Sequence, residues 1–87
     1  MSQQAIGMIE AKGLIAAIEA ADAALKAANV QYVGQHRVGN GLVAITFTGD
    51  VSAVKAAVEA GAAAGSKLGQ IAATSVIARP HEETVKV

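Results

Sequence analysis

The sequence predicts an α+β fold in which one four-stranded antiparallel sheet carries two helices on one face. Three observations predict it. Four short stretches suit strands, two longer ones repeat their apolar residues at helical spacing, and glycine, asparagine or proline marks most changes of period.

The first strand is expected over Ala5–Ala11 (AIGMIEA), where side chains alternate, and Gly13 breaks it. A helix follows. Leu14, Ile18, Ala21, Leu25 and Ala28 recur at its spacing as the expected core face, with Glu19, Asp22, Lys26 and Asn29 opposite. Asp22 precedes Lys26 by four, the favourable order for a surface ion pair, and Asn29 is the expected stop. Val30–Val38 and Leu42–Thr48 read as the next two strands, joined by Gly39-Asn40-Gly41. That tripeptide tolerates the positive φ angles of a tight hairpin.

Asp50 stands at the expected N-cap of a second helix, Val51 to about Lys67. Its smooth face is Val54, Ala57, Val58, Gly61 and Gly65. Two glycines four apart cost about 1 kcal/mol each in helix propensity, so close packing is expected against them. Gly69 ends this helix, Ile71–Ala78 forms the last strand, and Pro80 stops it. The order strand–helix–strand, hairpin, strand–helix–strand is a weak internal duplication and specifies a ferredoxin-like βαββαβ sandwich. Residues 1–87 form one domain, with an ordered core over 5–81 and a short C-terminal tail, 82–87. Val43, Ile45 and Phe47 on one parity and Leu42 and Ala44 on the other leave no clearly polar sheet face. The uncovered face, or an edge, is therefore expected to meet another subunit.

Composition narrows the function classes. A chain of 87 residues buries only roughly 60–65% of its unfolded surface, so partner subunits are a natural source of further stability. Without cysteine there is no disulfide, thiolate metal site or thiol catalysis. Net charge is zero, and Tyr32 and Phe47 are the only aromatics, which argues against nucleic-acid binding. The longest uncharged runs, Val38–Gly49 and Leu68–Ala78, fall short of the roughly 20 residues that span a bilayer. Met1–Gln4 lacks the basic start of a secretion signal, and a cytoplasmic location is expected.

Catalytic motifs fail on context. Gly39–Ala44 (GNGLVA) matches a relaxed dinucleotide fingerprint, but a strand follows it where a phosphate-binding helix should begin. The spacing of Gly61 and Gly65 resembles a membrane-helix motif, but Lys55, Glu59 and Lys67 share the segment. His36 and His81 lie far apart, outside any metal-ligand spacing, and Glu82 and Glu83 read as a solvated end. No enzyme activity, cofactor or metal is expected.

Residues 5–30 (AIGMIEAKGLIAAIEAADAALKAANV), Val33-Gly34, Gly39-Asn40-Gly41, Gly49-Asp50-Val51 with AVKAA at 53–57, and Val76–His81 follow one another in order over nearly the whole chain. This combination resembles the single-domain, hexameric shell proteins of bacterial microcompartments. The resemblance implies a structural tile whose cyclic hexamers pack edge to edge into facets of a metabolosome or carboxysome shell. The partners it implies are further copies of this chain, other shell proteins, encapsulated enzymes and small-molecule metabolites crossing a central pore. Carried over by position, Gly39, Asn40 and Gly41 line that pore and Arg37 flanks it. Lys26 and Arg79 match hexamer–hexamer edge residues, and Asn29 lies one turn beyond Lys26. Thr48 stands where the family commonly has arginine, Asn40 where serine or glycine is common, and Ser75 where histidine is common. Six copies of Arg37 near one mouth would favour small polar or anionic solutes. The alternative is a small ligand-sensing regulator on an oligomeric fold of the same type, which would need a convergent charged constellation that the sequence lacks.

Overall fold

The computed structural model describes residues Gln4–Arg79, in the order β1 (Gln4–Lys12), α1 (Leu14–Ala27), β2 (Gln31–Gly39), β3 (Leu42–Asp50), α2 (Val51–Gly65) and β4 (Gln70–Arg79). Pro80, His81 and the expected tail over 82–87 lie outside the described residues. Every strand pairing is antiparallel and the sheet order is β2-β3-β1-β4. Each βαβ half is therefore split by a strand of the other half, as the repeated order of elements predicts.

Register decides which residues meet the helices. Ala5, Gly7, Ile9 and Ala11 of β1 stand opposite Gly49, Phe47, Ile45 and Val43 of β3. All four β1 residues are buried, as are Phe47, Ile45 and Val43, and the intervening Ile6, Met8 and Glu10 are only half-buried. Both helices cover the first set. Phe47, Ile9, Ile45 and Val54 are the largest fully buried side chains, each worth about 1.5–3 kcal/mol of apolar burial. Much of the remaining core is alanine.

The interhelical contact explains the glycines of α2. A Cβ at Gly61 would lie 2.6 Å from the Ala20 carbonyl oxygen, and one at Gly65 would lie 3.0 Å from that of Ala16. The expected α2 face, Val54, Ala57, Val58, Gly61 and Gly65, is the buried one.

The expected face of α1 is not. The residues it buries are Ala16, Ala17, Ala20 and Ala24; of the expected face, Ala21 and Ala28 are partly buried against the core, whereas Leu14, Ile18 and Leu25 are exposed. Helices that approach through glycine leave room for alanine between them and no room for leucine. Close approach therefore outweighs side-chain hydrophobicity in setting the rotation of α1.

Termini differ from expectation in smaller ways. Asp50 stands at the N-cap position of α2 and pairs with Gln4 at the end of β3, but its side chain makes no capping hydrogen bond. The helix closes at Gly65, short of Lys67, and its last turn tightens as the amides of Leu68 and Gly69 both donate to the Gly65 carbonyl. α1 closes at Ala27, and Ala28 is already extended, so Asn29 lies beyond the helix end.

Candidate functional site

The β2–β3 hairpin turns through Asn40 and Gly41, with φ of 57° and 80°, after Gly39 at 118°. Both turn residues have the positive φ that a two-residue type I′ loop requires. Asn40 is the one non-glycine residue with positive φ among those described. The amide of Gly13, between β1 and α1, donates to the Gly41 carbonyl at 2.9 Å. This bond ties the hairpin to the neighbouring chain reversal.

Arg37 stands opposite Val43, so its side chain projects on the helix-bearing side of the sheet. It is exposed, and with Gly13, Leu14, Gly39, Gly41, Leu42 and Val43 it lines a depression of about 400 Å³ beside the hairpin. A register shift between Arg37 and Gly39 turns Val38 outward. The structure thus brings Arg37, Gly39, Asn40 and Gly41 to one end of the sheet.

Lys26 and Asn29 belong to the other end. Gln4 pairs with both Asp50 and Arg79, and Gln31 pairs with Thr48, which gathers the end of β3, the end of β4 and the α1–β2 connection together. Lys26 Nζ lies 3.0 Å from Asp22 Oδ2, with the two side chains 77% and 52% exposed. A pair this open contributes about 0–1 kcal/mol and leaves most of the ammonium surface available. Asn29 is exposed and lines a polar depression of about 480 Å³ with Gln4, Gln31, Thr48, Gly49, Asp50 and Ala53. The backbone of Arg79 ends β4 at this same end. Eight strand steps from Leu42 to Asp50 separate the two groups by about 27 Å.

Thr48 has a local task. Its hydroxyl donates to the Ala5 carbonyl at 3.1 Å, reinforcing the β1–β3 pairing. His36 is exposed on the strand leading to the hairpin, and no three His, Asp or Glu side chains converge among the described residues. No described helix is long and apolar enough to cross a membrane.

Sequence reasoning missed one surface, the outward flank of α1. Leu14, Ile15, Ile18 and Leu25 are 43%, 70%, 55% and 42% exposed. The signal was present in Ala16, Ala17, Ala20 and Ala24, which form a second apolar line matched in size to Gly61 and Gly65.

The family model for the BMC domain matches residues 5–80. Bacterial microcompartment shell protein PduA of Citrobacter freundii is 55% identical over 87 residues, covering 100% of this chain and 94% of that protein. Bacterial microcompartment shell protein EutM of Escherichia coli (strain K12) is 49% identical over 84 residues, covering 97% and 87%. Carboxysome shell protein CsoS1 of Prochlorococcus marinus is 51% identical over 80 residues, covering 91% and 78%. Among solved structures, a microcompartments protein from Desulfitobacterium hafniense DCB superposes with a TM-score of 0.80 at 32% identity. That match covers 87% of this chain and 41% of the other.

Proposed function

Because the chain belongs to the BMC domain family, we propose that it is a non-enzymatic tile of a microcompartment shell, built as a cyclic hexamer around a solute pore. Hexamers and pores are typical of this family. The relatives are shell proteins, and they lend no support to the regulator alternative. Carboxysome and other microcompartment shell proteins both occur among them.

The observation that carries the reading is the separation of the two residue groups along one sheet. A ring tile needs one end of each subunit at its axis and the opposite end at its rim. Gly39, Asn40, Gly41 and Arg37 occupy one end, and Lys26, Asn29 and Arg79 belong to the other. At the axis, six glycine-flanked turns can approach closely and present small polar groups. Six Arg37 guanidinium groups beside them raise the local concentration of anions, within a Debye length of about 8 Å at physiological salt. At the rim, Lys26 and Arg79 supply donors to a neighbouring hexamer and Asn29 adds an amide. Residues 5–81 are read as the tile body and 82–87 as a tail. Its partners are other copies, other shell proteins in the cytoplasm and the enzymes they enclose, with small polar or anionic metabolites crossing.

Negative-stain microscopy of the parent and of Lys26→Ala tests the reading. The parent should lay out as sheets or tubes of hexamers. Lys26→Ala, altered on an exposed side chain away from the core, should remain hexameric and lose them. Sheets that survive in Lys26→Ala and in Arg79→Ala would remove the rim assignment, and a monomeric parent would remove the tile.

A further inference from the structure

The hairpin tip meets the requirements of an intramolecular reaction that the tile reading does not use. Asn40 and Gly41 are both exposed, and the Asn40 side chain makes no hydrogen bond among the described residues. Neither the Asn40 carbonyl nor the Gly41 amide takes part in a backbone hydrogen bond among them. The tie to Gly13 is made one peptide later, through the Gly41 carbonyl. The peptide plane between Asn40 and Gly41 is therefore free to turn while the chain on either side of it is held.

Turning that plane keeps the hairpin. Types I′ and II′ both close two-residue loops, and they differ by a flip of the central peptide. Both need positive φ at the first turn residue, which Asn40 already has at 57°. The flip carries the second residue from positive to negative φ, and glycine populates the two about equally. In type II′ the first residue has ψ of about −120°. Cβ stands a third of a turn from the backbone nitrogen around the Cα–C axis, so this ψ aligns Asn40 Cβ with the Gly41 nitrogen. Asn40 Cγ then comes within closing reach of that nitrogen, and Gly41 has no Cβ to obstruct it.

We propose that Asn40 is a self-modifying site, which passes through a cyclic imide with Gly41 to aspartate or isoaspartate and gives the hairpin tip a negative charge. Solvent base takes the Gly41 amide proton, and the nitrogen attacks Asn40 Cγ. The N–Cγ bond forms, the Cγ–Nδ2 bond breaks, and Nδ2 takes a proton from solvent and leaves as ammonia. Water then opens the ring. Cleavage of N–Cγ gives aspartate, and cleavage of the bond from the nitrogen to the Asn40 carbonyl carbon gives isoaspartate, whose main chain runs through Cγ. One water enters, one ammonia leaves, and nothing is oxidised. Lys12 favours the anionic steps. A Cβ on Gly41 would lie 3.9 Å from Lys12 Cε, which places the ammonium beside the attacking nitrogen and the new carboxylate.

The chain carries its own control. Asn29 is its other asparagine, and the next residue there is Val30, whose β-branch crowds the nitrogen. The Val30 amide also donates to the Ala28 carbonyl at 3.0 Å. The modification rests on the turn alone, whereas any effect of its charge on solute preference rests on the pore reading.

The test is to hold the assembled full-length protein in mildly alkaline buffer and follow it by peptide mapping and isoelectric focusing. Asn40 should convert to a mixture of isoaspartate and aspartate while Asn29 stays intact. Focused bands should move to the acidic side of the parent, and Asn40→Gly, treated alike, should not move. The rate should lie within about tenfold of that of a synthetic peptide of residues 36–43, a barrier added by the turn of no more than about 1.4 kcal/mol. Asn40 that survives after that peptide has fully converted would overturn the proposal. Equal conversion of Asn29, or acidic bands from Asn40→Gly, would overturn it as well. A protein that modifies at Asn40 but sediments as a monomer would leave this inference standing and remove the tile.

Discussion

Replacing Gly61 by alanine sets two effects of opposite sign against each other. In an exposed helix interior, glycine to alanine stabilises by about 1 kcal/mol. At Gly61 the new Cβ would lie 2.6 Å from the Ala20 carbonyl oxygen, 2.8 Å from Ile9 Cδ1 and 3.3 Å from Ala24 Cβ. Ile9 is fully buried and the carbonyl belongs to the backbone of α1, so relief requires the two helices to separate. Overpacking of that kind costs about 1–3 kcal/mol and occasionally more. Set against the propensity gain of about 1 kcal/mol, this leaves Gly61→Ala destabilised by about 0–2 kcal/mol, or up to roughly 15 °C in Tm for a domain of this size. The control is Ala63→Gly, at an exposed position of the same helix, which should lose about 1 kcal/mol through propensity alone. Thermal unfolding followed by circular dichroism, at equal protein concentration because association shifts Tm, gives both values. Opposite substitutions two residues apart should both lower Tm. A Gly61→Ala protein that melts above the parent would refute the close helix contact.

Arg37→Glu should leave the hexamer intact and reverse the preference for anions over cations in the flux of small solutes through inserted pores. The difference should shrink as salt rises, and an unchanged preference at low salt would take Arg37 out of the pore. Asn40→Val should cost about 1–2 kcal/mol in unfolding, because a β-branched residue is forced to φ of 57°, whereas Asn40→Gly should be nearly neutral. Equal losses from the two would mean that the Asn40 side chain, rather than its backbone, holds the turn.

How far the fold was legible varies by element for physical reasons. The hairpin was readable because Asn40-Gly41 meets a local backbone requirement that owes nothing to distant residues. The face of α2 was readable because Val54 and Val58 share a line with Gly61 and Gly65, so hydrophobicity and small size point the same way. In α1 they point apart. Leu14, Ile18 and Leu25 form the more hydrophobic line, but the glycines of α2 select the alanine line, and that choice depends on a partner far along the chain. Asp50 does occupy the expected N-cap position, but the side-chain bond expected of it is not made. Of the candidate site, the gathering of Arg37, Gly39, Asn40 and Gly41 at one end of the sheet was legible because all four belong to one hairpin. The aliphatic flank of α1 was not, because exposure is a property of the packed pair of helices.

The hydrogen bond from the Gly13 amide to the Gly41 carbonyl separates the shape of the hairpin tip from its chemistry. Main-chain atoms hold the tip, the glycines beside position 40 supply its path, and no side chain at that position takes part in the bond. A residue there that accepts positive φ can be exchanged while the frame stays in register with β1 and α1. Related chains could then carry different side chains at this tip on one scaffold, each a single codon away from the next.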